Sequence, residues 1–421
     1  MRFLYTFLFY LLVPFILLRL LWRSIKAPSY RSRWRERFAF YHQEFPDNVV
    51  WFHAVSVGES EALFPLLRQI QKHSPEIKLL VTTTTPTGSD RVKAVMQDSV
   101  SHVYLPYDMP DTVNRFIRCF RPKLAVIMET EIWPNLFAAC GANQIPLYLI
   151  NARLSEKSAH GYQKISSLVH QTLSNVSMIA AQTEEDAQRF ISIGAEANKV
   201  KTLGNIKFDI HVPADIIEDG ARLKQTLFPK RFVWVIASTH KDEEALFLDI
   251  YKDIKPQIPE LLMLLVPRHP ERFTEVKRLC EQQPLKVVTR TSGETVTEVV
   301  DIYLVDTMGE LKTIYAASDV AFVGGSMVPS GGHNILEASA VGIPVLFGPY
   351  MNNFKEIAKK VLNQRAAIQC QDKDAAVKSI LTLYQQPSER LALVANGKRF
   401  LKENQGAVAR IFAMLEPTIR L

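Results

Sequence analysis

Cysteine is scarce. The four thiols, Cys119, Cys140, Cys280 and Cys370, are spread over 421 residues and form no Cys-x-x-Cys pair. That spacing argues against a disulfide framework or a zinc site and reads as reduced core thiols of a cytosolic compartment. Two nucleotide signatures are also missing. No Gly-Lys-Ser/Thr phosphate loop occurs, and no Gly-x-Gly-x-x-Gly turn follows the first strand-like run, which makes ATPase and dinucleotide oxidoreductase readings poor. The chain has no internal repeat and no low-complexity tract, so neither a solenoid nor a disordered chain fits. A catalytic metal is not indicated.

What is present is an ordinary globular composition, 47% hydrophobic and 22% charged, on a chain long enough for two domains. The net charge of +7 suits an anionic partner such as nucleic acid, an anionic membrane surface or a phosphorylated substrate, and equally describes a plain basic enzyme.

The first segment is the one long apolar run. Phe3 to Leu18 carries no charge, Arg19 interrupts, and Leu20-Leu21-Trp22 continues. A spanning helix needs about 20 such residues, and an arginine near its end can snorkel to the headgroups. Pro14 can kink the run without forbidding it. No small-x-small site follows, which counts against a cleaved signal peptide. Arg23, Lys26, Arg31, Arg33, Arg35 and Arg37 follow the run and only Arg2 precedes it, so the positive-inside rule puts the rest of the chain in the cytoplasm. Residues 1–22 read as a membrane anchor, spanning or interfacial. Residues 23–47 read as a basic interfacial segment, with Trp22 to Phe38 an interfacial helix on anionic lipids and a solvated basic linker as the alternative.

From residue 48 onward, apolar strand-like runs alternate with helix-like ones, the pattern of parallel sheets buried on both faces. One series runs through Val49–Phe52, Lys78–Val81, Leu124–Met128, Leu147–Ile150 and Met178–Ala181. A second runs through Phe232–Ile236, Leu262–Val266, Lys286–Val288, Ile302–Val305, Val320–Val323 and Ile343–Phe347. Lys207 to Gly220 separates them, so the expected domains are 48–209 and 210–421, leaving open that the C-terminal helix returns to the first. The expected fold class is α/β, two doubly wound Rossmann-like domains facing each other across a cleft. Ligands in such sheets sit at the carboxyl ends of the strands.

Those ends carry the candidate chemistry. His53-Ala54-Val55-Ser56-Val57-Gly58-Glu59 is a strand, a turn and a helix start. A carboxylate there repels phosphate, is stabilised by the helix dipole, and fits either a general base or a helix cap. Glu129 and Glu131 flank Thr130 after another strand, with capping the expected role of Glu131. Arg153 ends a third. In the second domain Ser238 and Thr239 are placed to cap a helix and leave backbone N–H groups for an anion. Arg268 and His269 follow the next strand, and Thr307-Met308-Gly309-Glu310 makes a close-approach turn. The glycine-paired loop 324–332 leads into Asn334 and Glu337, a helical turn apart and suited to ribose hydroxyls.

These residues resemble a known family. His53 to Glu59, Glu129-Thr130-Glu131-Ile132-Trp133-Pro134-Asn135, Asn151-Ala152-Arg153-Leu154-Ser155, Gly204-Asn205-Ile206-Lys207, Pro267 to Phe273, Met308 to Leu311 and Gly331 to Glu337, with the anchor, are similar to the 3-deoxy-D-manno-octulosonic acid (Kdo) transferases of lipid A biosynthesis. The resemblance covers essentially the whole chain. It implies a GT-B fold, CMP-Kdo as donor bound by 210–421, and lipid IVA as acceptor bound by 48–209. It implies metal-independent inverting transfer on the cytoplasmic side of the inner membrane, with no cofactor and no nucleic acid partner. By the same resemblance Glu59 is the general base, and Glu129 and Lys207 stabilise the transition state. Arg268, His269, Met308, Gly309, Glu310, Asn334, Ile335, Leu336 and Glu337 hold CMP. Ser56, Arg153, Ser238 and Thr239 are further candidates for acceptor or phosphate contacts. The competing readings are another GT-B sugar-nucleotide enzyme, such as an epimerase, and a membrane-tethered nucleotide-binding protein.

Overall fold

The computed structural model describes residues 1–26, 28–41 and 45–420. The chain divides into two compact units, one of Met1–Asp209 together with the segment from Gln405 on, the other of Ile210–Asn404.

The first unit carries β1 (Val50–His53), β2 (Leu79–Thr83), β3 (Ser101–Tyr104), β4 (Leu124–Met128), β5 (Leu147–Ala152), β6 (Met178–Ala181) and β7 (Val200–Thr202). They form one sheet in the order β3-β2-β1-β4-β5-β6-β7, with parallel pairings throughout. Period-two alternation sends Trp51 to one face, among Phe116, Phe120 and Phe137, and Val50 and Phe52 to the other. That second face is covered by the Val57–His73 helix and by Ile411, Phe412 and Leu415 of the C-terminal Ala407–Ile419 helix. Each such side chain contributes about 1.5–3 kcal/mol by leaving water.

The second unit repeats the plan with β8 (Phe232–Thr239), β9 (Leu261–Pro267), β10 (Val287–Thr289), β11 (Ile302–Leu304), β12 (Val320–Val323), β13 (Val345–Phe347) and β14 (Ile368–Gln369). The order is β10-β11-β9-β8-β12-β13-β14, again parallel. Each unit is thus a Rossmann-like parallel sheet, the fold class read from the sequence. In each, the strand order reverses beside the first strand, between β1 and β4 and between β8 and β12. That switch point is where open α/β sheets bind ligands.

The N-terminal region differs from expectation after residue 26. The apolar helix spans Arg2–Lys26, but the basic segment is not a continuous helix. It forms 3-10 turns at Pro28–Arg31 and Trp34–Phe38, and two of its arginines are committed inside the unit. Arg33 pairs with Glu36 at 2.6 Å and donates to the His102 carbonyl at 2.8 Å, while Glu36 accepts from the Tyr104 N–H at 3.0 Å. Arg37 is buried, donates to the Thr84 carbonyl at 2.8 Å, and lies over the Tyr104 ring. For Arg33 and Glu36 the reason is the free edge of β3: they satisfy backbone groups that an outermost strand leaves unpaired. Arg23, Arg31 and Arg35 remain exposed.

Candidate active site

At the β1 switch point, Ser56 is the N-cap of the Val57–His73 helix and Glu59 lies in its first turn. One Glu59 oxygen accepts from the Val55 N–H at 2.8 Å, and the other accepts from the Ser56 hydroxyl at 3.1 Å. The carboxylate therefore does bond back to the chain before the helix, as a cap would. Burial, and secondly the charge of Glu129, nevertheless push its pKa up to about 7, against the pull of those two hydrogen bonds. Gly58 is exposed, and a Cβ added there would meet no atom within 4 Å. Nothing in the fold requires a glycine at that position, so the open side is available to a ligand beside Glu59.

Glu129, at the end of β4, has a left-handed backbone at φ 57° and a buried carboxylate. Lys207 reaches one of its oxygens at 2.9 Å and Arg153 the other at 2.9 Å. Lys207 is held in turn. Its N–H donates to the Asn205 side chain, the Asn205 amide donates to Gln182, and the Gln182 amide donates to the Asn151 carbonyl, all at 2.8–2.9 Å. Asn151 is itself left-handed and accepts from the Ile206 N–H at 3.1 Å. The structure thus brings Glu59, Ser56, Glu129, Arg153 and Lys207 into the first unit's strand ends. The expectation for Glu131 is corrected. The helix after it, Pro134–Ala142, is served at its start by Asp108, which accepts from the Asn135 and Leu136 N–H groups, while Glu131 accepts from the Trp133 indole at 3.0 Å. Half-buried beside Glu129, the Glu131 carboxyl is pushed above its ordinary range, first by desolvation. Asn151, Gln182 and Asn205 were not singled out as site residues. Two of them lie in motifs the sequence offered, but the order of their bonding is visible only in three dimensions.

In the second unit, Ser238 has φ 60° and Thr239 donates its hydroxyl to the buried Glu244, which Arg272 also pairs at 2.6 Å. Neither caps the next helix, Glu243–Ile254, whose N-cap is Asp242. The anion nest expected here is also occupied. Glu243, fully buried, accepts from the N–H groups of His240, Gly325, Ser326 and Met327 at 2.6–3.0 Å. Burial raises its pKa in spite of these four donors. A four-donor carboxylate pins the turn after β8 to the glycine loop after β12, a role that its place in an acidic run concealed. The His240 and His333 rings stack with Nε2 atoms 2.9 Å apart, and burial holds both below the usual imidazole range, His333 at about 3. Gly325 has φ 65°, and a Cβ there would fall 2.9 Å from the His333 ring.

Arg268 and His269 follow β9, and His269 sits edge-on to His240. Met308 is exposed beside Gly309, whose φ of 91° needs a glycine. Glu310 is paired by Arg290 at 3.1 Å, which holds its carboxyl below the ordinary range. Asn334 caps the Leu336 N–H at 3.1 Å and approaches Glu337 at 3.5 Å. Ile335 and Leu336 are fully buried, so that element presents Asn334 and Glu337 outward. Among the described residues no group of three or more His, Cys, Asp or Glu side chains is arranged to hold a metal ion.

Residues 32–210 match the family model of 3-deoxy-D-manno-octulosonic-acid transferase, and 246–400 that of glycosyl transferases group 1. Over 419 residues the chain is 39% identical to the 3-deoxy-D-manno-octulosonic acid transferase of Haemophilus influenzae, covering 99% of this chain and 98% of that one. The chain belongs to the 3-deoxy-D-manno-octulosonic acid transferase family. The transferase is also 34% identical to the enzyme of that name from Bordetella pertussis, across 87% of this chain and 86% of the relative. Among solved structures, UDP-GlcNAc 2-epimerase from Neisseria meningitidis matches with a TM-score of 0.56 at 13% identity, over 88% of this chain and 99% of that one. That likeness is one of fold alone, and it agrees with the two-domain GT-B fold expected of the chain. The charged strand ends of the first unit fall within the family-specific match, and the loop bearing His333, Asn334 and Glu337 falls within the general glycosyltransferase match.

Proposed function

We propose that this Kdo transferase moves Kdo from CMP-Kdo to the 6′-hydroxyl of lipid IVA, in the first step of lipopolysaccharide core assembly at the cytoplasmic face of the inner membrane. The observation that carries this reading is Glu59, a carboxylate poised near pH 7 beside an open glycine and suited to accept a proton from a sugar hydroxyl. The acceptor oxygen then attacks the anomeric carbon of Kdo, the bond to the CMP phosphate breaks, and CMP leaves with the bonding pair. Attack opposite the leaving group inverts the anomeric centre. Lys207, oriented by Glu129, supplies a fixed positive charge for the developing negative charge. Because the Gly325–Met327 N–H groups already serve Glu243, Arg268, His269, Met308 to Glu310, Asn334 and Glu337 are the proposed donor contacts. Arg153 and Ser56 lie on the acceptor side. An acylated, bisphosphorylated acceptor accounts for an apolar helix followed by exposed arginines. This reading requires no metal and no cofactor.

The test is incubation with CMP-Kdo and lipid IVA, followed by mass spectrometry of the lipid. Kdo-bearing product is expected. Glu59→Gln is expected to form none while binding CMP within about twofold of the parent by calorimetry. Turnover close to normal in that variant would remove Glu59 as the base.

A further inference from the structure

The Arg2–Lys26 helix is long and apolar enough to cross a bilayer, yet its polar contacts are made at the wrong end for crossing. The Thr6 hydroxyl donates to the Asn135 side chain at 3.0 Å and the Tyr10 hydroxyl to Asp111 at 2.6 Å. The Tyr5 hydroxyl donates to the buried Asp108. These three partners lie at the starts of the Pro110–Phe120 and Pro134–Ala142 helices, within the folded body of the first unit. Contact is not confined to that end. Tyr5, Phe9, Val13, Ile16, Leu20 and Ser24 recur every three or four residues and are all partly or fully shielded. The complementary stripe, Phe3, Phe7, Leu11, Phe15, Leu18 and Trp22, is more than half exposed at every position. The shielded stripe is bonded to the body at Thr6 and at Ser24, which accepts from Arg31, and the opposite stripe is an unbroken apolar strip.

A crossing helix would place residues 3–22 through about 30 Å of hydrocarbon and carry residues 5–10 to the leaflet away from the body. Asp108, Asp111 and Asn135 would then have to enter the hydrocarbon to keep their bonds, where a charged group loses its hydration. Crossing and these contacts exclude one another. We infer that the helix lies parallel to the membrane surface, one stripe docked on the first unit and the other sunk into a single leaflet, so that both of its ends are on the catalytic side. Arg19 and Arg23 on the helix, and Arg35 between the exposed Trp34 and Phe40, are placed to meet anionic headgroups at that level. The inference rests on the membrane reading of the apolar helix and adds a consequence to it. Asn135 follows Glu129 by six positions, so docking Thr6 on Asn135 brings the lipid surface beside the turn that carries Glu129. An acylated acceptor can then reach the catalytic carboxylates without leaving its leaflet.

The test uses the full chain in inverted inner-membrane vesicles, whose outer face is the cytoplasmic one. Arg2→Cys and, as control, Ser32→Cys are made in a Cys119→Ser background, the other three cysteines being buried, and treated with a membrane-impermeant maleimide before and after detergent. A parallel helix is expected to label at position 2 as at position 32, with about nine-tenths of the final signal present before detergent. Label at position 2 that appears only after detergent, with position 32 labelled throughout, would overturn the inference and leave the anchor intact as a spanning helix. Protein that does not sediment with the vesicles would instead overturn the membrane reading beneath it.

Discussion

Glu59 has to be buried enough to be a base at neutral pH and yet be ionised to act. Burial first, and the charge of Glu129 second, lift its pKa to about 7, so kcat/KM is expected to rise with pH through an acid limb near that value. Removing the like charge should lower it. Glu129→Gln is expected to move the limb to lower pH, read from kcat/KM profiles with saturating donor, and a limb that stays in place would mean that another group titrates there. Stability follows the opposite sign. An unfolded glutamate titrates near 4.3, so the folded state loses stability as pH rises from there through the raised value, because the buried carboxyl must ionise. The window is worth on the order of 3–4 kcal/mol. Glu59→Gln is therefore expected to unfold at a higher temperature than the parent at pH 8, with little difference at pH 4. Much of this site was legible in the sequence, because Glu129 and Arg153 each end an apolar run and Glu59 opens the helix after another. The tie between Glu129 and Lys207 was not, because only the fold brings together residues 78 positions apart.

Whole elements were readable where composition was uniform and obscured where it was mixed. The central strands stand out because both faces are buried. β3 begins Ser101-His102, β7 has exposed Lys201 and Thr202, and β14 has two residues. Each lies at or near a sheet edge, where one side need not be apolar, and none was expected. The turn after β8 was misread for a related reason. Ser238 and Thr239 have the composition of caps, but a deeper carboxylate, Glu243, takes the N–H groups instead. Thr183 behaves as composition suggests and accepts from the Asp186 N–H at 3.1 Å. The C-terminal Ala407–Ile419 helix shows how an element far along the chain completes the first unit. Asp209 accepts from the Gly406 and Val408 N–H groups at its start, and Ile411 is fully buried against the first sheet. Asp209→Ala is expected to cost about 1 kcal/mol as a lost cap, and Ile411→Ala about 2–5 kcal/mol as a core cavity. Denaturant titration should show both as lower midpoints with unchanged slopes, and a variant at Ile411 as stable as the parent would mean that the helix is peripheral to the core.

At the scale of the molecule, two sheets with separate cores have been joined by a chain that leaves the first unit at Asp209 and returns at Gln405. The break in apolar periodicity after Lys207 made the departure legible. The return was left open, since an apolar helical face announces that it will be covered without saying by which sheet. Separate cores should unfold separately, because cooperativity is a property of a shared core. Calorimetry of the detergent-solubilised full chain is expected to show two transitions, and Ile411→Ala identifies the first unit's by lowering it alone. CMP at about a hundred times its Kd stabilises whatever binds it by about 2.7 kcal/mol, or about 5–10 °C in Tm for a unit of 150–250 residues. The donor site is proposed entirely from residues of Ile210–Asn404, so CMP is expected to raise the transition that Ile411→Ala leaves in place. If CMP instead raises the transition that Ile411→Ala lowers, the nucleotide is held by the first unit, and the division of labour between the sheets has been assigned the wrong way round.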